Sequence, residues 1–340
     1  MTDENAPLVS VIVPVFNGRR FLTKCLDAIH GSSFRRFEVI VVDDASTDDS
    51  AAIARARGAR VISMPIQSGP GAARNHGVRE ARGPIVFFVD ADVVIHPDAM
   101  ARVVADLEAQ PGVAAVFGSY DDSPAETNFV SQYKNLYHHF THQEGSEDAA
   151  TFWAGCGAVR RELFLASGGF DHVRYPRPSI EDIELGYRLR RMGHRILLDR
   201  QLQGKHLKHW TLSSMLRADI VYRAIPWSKL ILASGRIVND LNLKRSERLC
   251  AALVVLALAL LPVAPYLPAA ALAELASIGA VVGLNHKLYR FWLSRRGLWF
   301  ASRALPLHCL YYLYSAAAFA SCWCIDVVTG HRDTAVRAYR

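Results

Sequence analysis

The stretch Gly83-Pro-Ile-Val-Phe-Phe-Val-Asp-Ala-Asp92 decides the fold expected for this chain. Its apolar run from Ile85 to Val89 shows no alternation with polar residues, which is typical of a strand buried on both faces of a parallel sheet. Open α/β sheets bind ligands at the carboxyl ends of such strands. Asp90 and Asp92 stand at that end, where a pair of carboxylates suits a divalent cation and its phosphate ligand. A turn that merely ends the strand explains the same pair.

Similar apolar runs alternate with helical patterns on both sides of this stretch. Strands are predicted at about 8–17, 37–43 and 59–64, and helices at about 19–30, 46–57, 69–83 and 97–109. Strands that alternate with helices of about ten residues indicate βαβ crossovers. The predicted fold class is therefore α/β, with a mostly parallel sheet flanked by helices.

A dinucleotide-binding Rossmann enzyme is the competing interpretation of this alternation. Such an enzyme carries the glycine pattern G-x-G-x-x-G after its first strand. Here that place is occupied by Pro14-Val-Phe-Asn-Gly18, and no Walker A sequence is present. We therefore set nucleotide-binding folds of these two types aside.

The basic residues lie beside the apolar segments of the C-terminal part. The chain has 340 residues and a formal net charge of +7, which alone is compatible with nucleic-acid binding. The basic residues that precede apolar segments are Lys229, Arg236, Lys244, Arg245, Arg248, Lys287, Arg290, Arg295, Arg296 and Arg303. Positive charge in these places is typical of membrane-flanking sequence, so no nucleic-acid partner is expected.

The C-terminal part is expected to be embedded in a membrane. Residues 211–248 mix aromatic and basic residues as an amphipathic interfacial helical region does, although packing on the preceding domain explains them equally. A transmembrane region is predicted at 249–330, with spans at about 249–267, 268–284 and 301–326, followed by a tail at 331–340. A re-entrant hairpin is the alternative for the first two spans. The polar N-terminus carries no secretory signal, so domain 1–210 is expected in the cytoplasm.

Several linked motifs together resemble one enzyme family. They are Val9-Ser-Val-Ile-Val-Pro-Val-Phe-Asn17, Val41-Val-Asp-Asp-Ala-Ser46, Ala73-Arg-Asn75, Val89-Asp-Ala-Asp92, Gly155-Cys-Gly157, Gly168-Gly-Phe-Asp171, Ile180-Glu-Asp-Ile-Glu-Leu185 and Lys205-His206. In this order they resemble family 2 glycosyltransferases, which are inverting enzymes of the GT-A fold that use nucleotide-activated sugars. The resemblance covers about residues 7–210. The Q-x-x-R-W motif of processive members is absent, so processive polymer synthesis is not expected.

The resemblance implies a donor site and a metal site. The residues implied in binding the nucleotide sugar are Pro14, Val15, Asn17, Asp44, Arg74, Asp90 and Gly155. Asp92 and His206 are implied to ligate Mg²⁺ or Mn²⁺; a structural role is the alternative for this histidine, and the nearby His209 is the alternative ligand. Such a cation neutralises the charge that develops on a departing nucleoside diphosphate.

The resemblance also implies one general base. Inversion by direct displacement needs a single group to take the proton of the acceptor hydroxyl. Asp182 is expected in this role, with Glu181 beside it. Ser179 and Asp182 also have the spacing of a capping box that opens a helix at 180–192, and both interpretations can hold together.

The expected function is that of an integral membrane glycosyltransferase. It would transfer a sugar from a nucleotide-sugar donor, expected to be a UDP-sugar, to a lipid-linked or membrane-proximal acceptor. A catalytically inactive, membrane-tethered nucleotide-sugar binder or scaffold is the alternative. The presence of all the expected carboxylates favours the enzyme.

Overall fold

The chain divides after Trp210 into two compact units. The computed structural model describes residues 6–235 and 237–330. The polar N-terminus, the tail at 331–340 and Arg236, which entered the sequence analysis, lie outside the described residues.

The first unit is built on one eight-stranded sheet. Its strands are β1 Val9–Val15, β2 Phe37–Asp43, β3 Arg60–Ser63, β4 Ile85–Val89, β5 Val93–Ile95, β6 Val113–Tyr120, β7 Cys156–Arg160 and β8 Arg195–His206. Their order is β3-β2-β1-β4-β7-β6-β8-β5. The first four strands of this order are parallel, whereas β7 runs antiparallel to both β4 and β6. The α/β prediction is confirmed, and the sheet is mixed in its second half.

Helices flank this sheet and continue through the second unit. In the first unit they are α1 Arg19–His30, α2 Ser50–Ala56, α3 Pro70–Glu80, α4 Ala99–Ala109, α5 Phe129–Gln143, α6 Arg161–Ala166 and α7 Glu181–Arg191. In the second unit they are α8 Leu212–Asp219, a π-helical segment Ile220–Ala224, α9 Ile225–Ser234, a 3-10 turn Leu241–Leu243, α10 Arg245–Leu260, α11 Pro268–Leu284 and α12 His286–Val328.

Strand β4 is buried along its whole length, as its uninterrupted apolar run predicts. Successive side chains of a strand point to opposite faces of the sheet. Phe87 belongs to the main hydrophobic cluster of the first unit. Phe88 instead contacts Phe164 and Phe170, with ring centroids 5.4 and 5.2 Å away. Apolar layers therefore cover both faces, and β4 lies at the centre of the domain.

The second unit is helical; α11 has the bounds of the predicted span 268–284, whereas α10 ends before the end of the predicted span 249–267. Helices α10 and α11 contain 16 and 17 residues, fewer than the roughly twenty that cross a bilayer. Helix α10 ends at Leu260, just before a segment that contains Pro262 and Pro265. Helix α12 is the one helix among the described residues that is long and apolar enough to cross a membrane. Gly297, with φ of 79°, kinks it and leaves a continuous segment at 298–328.

Candidate active site

The candidate site lies where β1, β2 and β4 end. These strands are parallel, so their carboxyl ends meet at one edge of the sheet. Asp90 and Asp92 follow β4 directly, and the chain turns back at once, since the amide of Val93 donates to the carbonyl oxygen of Asp90 at 2.9 Å. Strand β5 then pairs antiparallel with the end of β8, which places Val93 opposite His206. This pairing brings His206 to the loop that carries both aspartates.

Asp92 and His206 form the pair that the sequence assigned to a metal. The Nε2 atom of His206 lies 3.6 Å from Oδ2 of Asp92. The other ring nitrogen, Nδ1, lies 2.9 Å from Oδ1 of Asn135 on α5. Tyr120 stacks on the imidazole with ring centroids 4.1 Å apart and an interplanar angle of 9°. The histidine is thus held on two sides, with Nε2 directed to the carboxylate.

The ionisation of Asp92 suits a cation ligand. Burial opposes its charge, but the hydrogen bond and charge of His206 and the charge of Lys208 hold the pKa of this carboxyl below its usual range. The neighbouring His209 is engaged elsewhere, with Nδ1 2.8 Å from Oε2 of Glu126. Of the two histidines, the structure therefore brings His206 to Asp92.

The metal ligands from the protein are few. Within residues 6–235 and 237–330, no group of three or more His, Cys, Asp or Glu side chains is arranged to hold a metal ion. One carboxylate and one imidazole are nevertheless donors that Mn²⁺ and Mg²⁺ accept, and these cations often complete their coordination with phosphate oxygens and water. The donor set therefore fits a cation held jointly by the protein and a diphosphate.

Arg74 on α3 connects the β4 carboxylates to the start of α7. Its Nη2 atom donates to Oδ1 of Asp90 at 2.6 Å, and Nη1 donates to Oε1 of Glu181 at 3.0 Å. The second oxygen of Glu181 accepts the amide of Ser179 at 2.9 Å. Arg74 is 5% exposed and Glu181 is 4% exposed. Both oxygens of Glu181 are therefore occupied by protein partners.

Asp182 follows Glu181 in the first turn of α7 and has a different environment. Its Oδ2 atom accepts a hydrogen bond from the backbone amide of Ala154 at 3.1 Å, and Oδ1 accepts one from the backbone amide of Ile183 at 2.8 Å. Burial and the negative charge of Glu181 raise the pKa of Asp182 to about 7. A carboxylate with this pKa is poised to take a proton near neutral pH.

Two adjacent residues join Asp182 to the end of β4. Ala154 donates its amide to Asp182, and the carbonyl oxygen of Gly155 accepts the amide of Asp90 at 3.2 Å. A side chain at Gly155 would come within 2.4 Å of the Trp153 ring, so glycine is required at this close approach. The short segment 154–155 therefore lies between Asp182 and Asp90 and links them through backbone hydrogen bonds.

The remaining predicted donor residues lie on the loops after β1 and β2. Both oxygens of Asp44 accept backbone amides, from Ser68 at 2.7 Å and from Gly69 at 2.8 Å. Asn17 is exposed and accepts the amide of Thr47 at 2.8 Å. Asp44 thus fixes the turn that opens α3, and Asn17 joins the two loops.

Pro14 and Val15 lie in β1 itself, Pro14 half-buried and Val15 buried. The carbonyl oxygen of Val15 accepts the amide of Asp44 at 2.8 Å. The structure therefore gathers Arg74, Asp90, Glu181 and Asp182 into one set of contacts, and joins Val15 to Asp44 in another.

Asn135 and Tyr120 were missed by the sequence analysis. Asn135 lies within α5 and Tyr120 ends β6, and neither belongs to a motif that was recognised. Each reaches the site only because its element packs beside the end of β8. The signal that identifies them is spatial, since both contact His206.

Comparison with known proteins agrees with this geometry. Residues 10–167 match the family model described as Glycosyl transferase family 2. Similar proteins include glycosyltransferase GlyG of Streptococcus pneumoniae, 27% identical over 127 residues, which are 36% of this chain and 42% of that protein. An uncharacterized glycosyltransferase of Haemophilus influenzae is 33% identical over 131 residues, which are 37% of this chain and 52% of that protein. The chain thus spans about half or less of the length of these relatives.

Two solved structures share the fold. The mannosyltransferase PcManGT from Pyrobaculum calidifontis, in complex with GDP-Man and Mn²⁺, has a TM-score of 0.54 at 21% identity and covers 94% of this chain and 87% of its own. GalNAc-T7 with UDP, GalNAc and Mn²⁺ has a TM-score of 0.50 at 17% identity and covers 68% of this chain and 48% of its own. At such identities the likeness shows the fold alone. Residues 10–167 of this chain are therefore a glycosyl transferase family 2 domain, and the first unit adopts the GT-A fold.

Proposed function

We propose that this chain transfers a sugar from a nucleotide-sugar donor to an acceptor hydroxyl, with inversion at the anomeric carbon. The observation that carries the proposal is the environment of Asp182. Its carboxylate, with a pKa of about 7, is joined through residues 154–155 to Asp90 at the end of β4. A proton acceptor and a candidate diphosphate site therefore share one edge of the sheet.

The donor would be held at the end of β4 with a divalent cation. Asp92 and His206 are the residues that would ligate Mg²⁺ or Mn²⁺, since their oxygen and Nε2 atoms face each other. When bound, the cation supplies positive charge that stabilises the leaving nucleoside diphosphate. The complexes of PcManGT and GalNAc-T7 with Mn²⁺ support this choice of cofactor. We propose a UDP-sugar as the donor, with a GDP-sugar as the competing class.

Asp182 would act as the general base. It takes the proton of the acceptor hydroxyl while that oxygen forms a bond to the anomeric carbon and the bond to the diphosphate oxygen breaks. A single displacement needs no second carboxylate as a nucleophile. Glu181 is buried and forms an ion pair with Arg74, whereas Asp182 is half-buried and accepts two backbone amides, which favours Asp182 over Glu181 for this task.

The acceptor is proposed to be lipid-linked or close to a membrane. Segment 298–328 of α12 is long and apolar enough to cross a bilayer once. An enzyme anchored in this way meets its acceptor in the plane of the membrane. We place the glycosyltransferase unit in the cytoplasm, where nucleotide sugars are made.

A donor panel tests the proposed activity on the full-length protein in detergent or nanodiscs. UDP-, GDP- and dTDP-sugars are supplied with Mn²⁺ and a membrane lipid extract, and release of the nucleoside diphosphate is measured. We expect release with at least one donor, loss of release with EDTA, and loss in Asp92→Ala. A donor that binds but is not turned over with any extract would favour the inactive binder or scaffold.

A further inference from the structure

Two adjacent residues of α3, Arg74 and Asn75, bind the end of β4 and the segment that leads into α7. Arg74 binds Asp90 and Glu181 through separate nitrogens. Its neighbour Asn75 binds the backbone of Phe170 twice, since Nδ2 donates to the carbonyl oxygen and Oδ1 accepts the amide, both at 2.8 Å. The Arg74 guanidinium also lies 5.5 Å from the centre of the Phe170 ring. The two side chains together tie the end of β4 to the segment that leads into α7.

Among the described residues, Arg74 is the cation that lies between the carboxylates of this junction. Glu181 and Asp182 are adjacent carboxylates, and Glu181 is nearly inaccessible to water. Arg74 is the cation that forms ion pairs with both Asp90 and Glu181. Removing one partner of a buried ion pair leaves an uncompensated charge, which is strongly destabilising. Without Arg74, a proton-accepting Asp182 would stand beside an uncompensated glutamate.

We infer that Arg74 is a positioning residue, which holds the helix of Asp182 against the end of β4 and compensates the charge of Glu181. This inference rests on the proposed function for its kinetic consequence, but its structural content is independent of it. It adds a structural role to the one that the family resemblance implies for Arg74. Nη1 and Nη2 each use one of their two N–H groups in these ion pairs, so a contact of Arg74 with the donor would have to form beside them.

The kinetic test separates the two roles of Arg74. Arg74→Met in the full-length protein should lower kcat for transfer by about tenfold or more, while the donor Kd changes less than about threefold. Arg74→Lys keeps the charge but lacks the planar fork that reaches the two carboxylates through separate nitrogens, so its kcat should lie between those of Arg74→Met and the wild type. Arg79→Met is the matched control, because Arg79 is an exposed arginine on the same helix. An Arg74→Met protein with normal kcat and a donor Kd weakened tenfold would overturn the inference.

A stability test does not depend on turnover. Thermal unfolding is measured for the wild type, Arg74→Met, Glu181→Gln and the double variant. We expect Arg74→Met to lower Tm clearly, and the added Glu181→Gln to raise Tm again, because it removes the uncompensated charge. Additive losses of Tm would show that the two residues are not coupled, and would refute the inference. If the wild type turns over no donor, the proposed function fails while this cycle still decides the role of Arg74.

Discussion

The Nε2 atom of His206 faces Oδ2 of Asp92 at 3.6 Å although the two residues lie far apart in the sequence. The pairing of β5 with β8 produces this approach. On the other side of the ring, Nδ1 faces the amide oxygen of Asn135, which only accepts hydrogen bonds, so Nδ1 carries the proton. A cation bound to Nε2 would replace the proton that this nitrogen otherwise shares with Asp92. Asn135 therefore selects the tautomer that a metal ligand needs.

We expect Asn135→Ala to weaken Mn²⁺ binding by about 10- to 100-fold, the usual effect of removing a partner that orients a ligating histidine. Without the acceptor, the imidazole loses its fixed tautomer and orientation. Electron paramagnetic resonance of Mn²⁺ titrations in the presence of UDP measures the affinity. Asn135→Asp keeps an oxygen acceptor and serves as the control, and it should bind Mn²⁺ nearly as the wild type does. Equal Mn²⁺ affinity in Asn135→Ala would contradict this role.

The pH dependence of transfer should follow Asp182. Burial and the charge of Glu181 raise its pKa to about 7, so the base is protonated below that pH and transfer falls roughly tenfold for each further unit. Asp182→Asn should reduce transfer by about 10²-fold or more and abolish this limb of the profile. Initial rates between pH 5.5 and 8.5 provide the measurement, with Glu108→Gln on α4 as a remote control. A Glu181→Gln variant that loses transfer while Asp182→Asn keeps it would exchange the two roles.

The same raised pKa should make the fold less stable as the pH rises. In the unfolded chain an aspartate has a pKa of about 3.9, and in the folded chain Asp182 has a pKa of about 7. Between these values the folded state binds more protons, so this residue's contribution to stability falls as the pH rises through that window. Asp182→Asn removes the effect. Its Tm should exceed that of the wild type above pH 7, and the two should converge towards pH 4. A pH-independent difference in Tm would rule this out.

The position of Asp90 and Asp92 could be predicted because it depends on local sequence. An apolar run without alternation predicts a strand buried on both faces, and whatever follows such a strand lies at the ligand-binding edge of a parallel sheet. The structure confirms the buried strand, which pairs parallel with β1 and antiparallel with β7. His206 and Asp182 were predicted only through the family resemblance, since nothing local distinguishes them from structural residues.

Contacts between distant elements could not be predicted in this way. The bonds of Arg74 to Glu181 and of Asn135 to His206 depend on how α3, α5 and α7 pack, which hydrophobic periodicity does not specify. The bounds of the C-terminal helices show a further limit. The Pro-rich turn between the first two predicted spans was expected, but the predicted span 249–267 included that turn, whereas α10 ends at Leu260.

Gly186 allows helix α7 to pack closely against the segment 151–152, which precedes Ala154. A Cβ atom at Gly186 would lie 2.4 Å from the backbone nitrogen of Phe152, so α7 approaches residues 151–152 too closely for a side chain. Gly186→Ala should displace the helix from this segment and lengthen the hydrogen bond from Ala154 to Asp182. We expect a lower Tm and transfer reduced at least about tenfold, since small misplacements of catalytic groups are costly.

Gly193→Ala is the control variant, which tests whether replacing a glycine without a close contact also reduces transfer. Gly193 follows α7, and a Cβ atom there would meet nothing within 4 Å, although its positive φ of 85° adds backbone strain. This control should therefore lower Tm without a matching loss of transfer per folded molecule. If Gly186→Ala transferred at the wild-type rate, the close approach would have no catalytic consequence.

The membrane topology gives the last prediction. If segment 298–328 crosses the bilayer once and the glycosyltransferase unit is cytoplasmic, the two ends of the described chain lie on opposite sides. Single cysteines are placed at Lys24, which is exposed on α1, and at Thr329, which is exposed just after α12. Both are made in a Cys324→Ser background, because Cys324 is the exposed native thiol in the part of the chain that the structure describes. An impermeant maleimide is then added to intact cells.

We expect Thr329→Cys to be labelled in intact cells and Lys24→Cys only after the cells are opened. This pattern requires an odd number of crossings between the two positions, as one complete span or three would give. Protection of both positions until lysis would mean that α12 lies on the membrane or folds back, and that the protein does not present its C-terminal end outside. Labelling of Lys24→Cys from outside would contradict a cytoplasmic active site. In that case the donor would have to be supplied across the membrane, and transfer from cytoplasmic nucleotide sugars would be refuted.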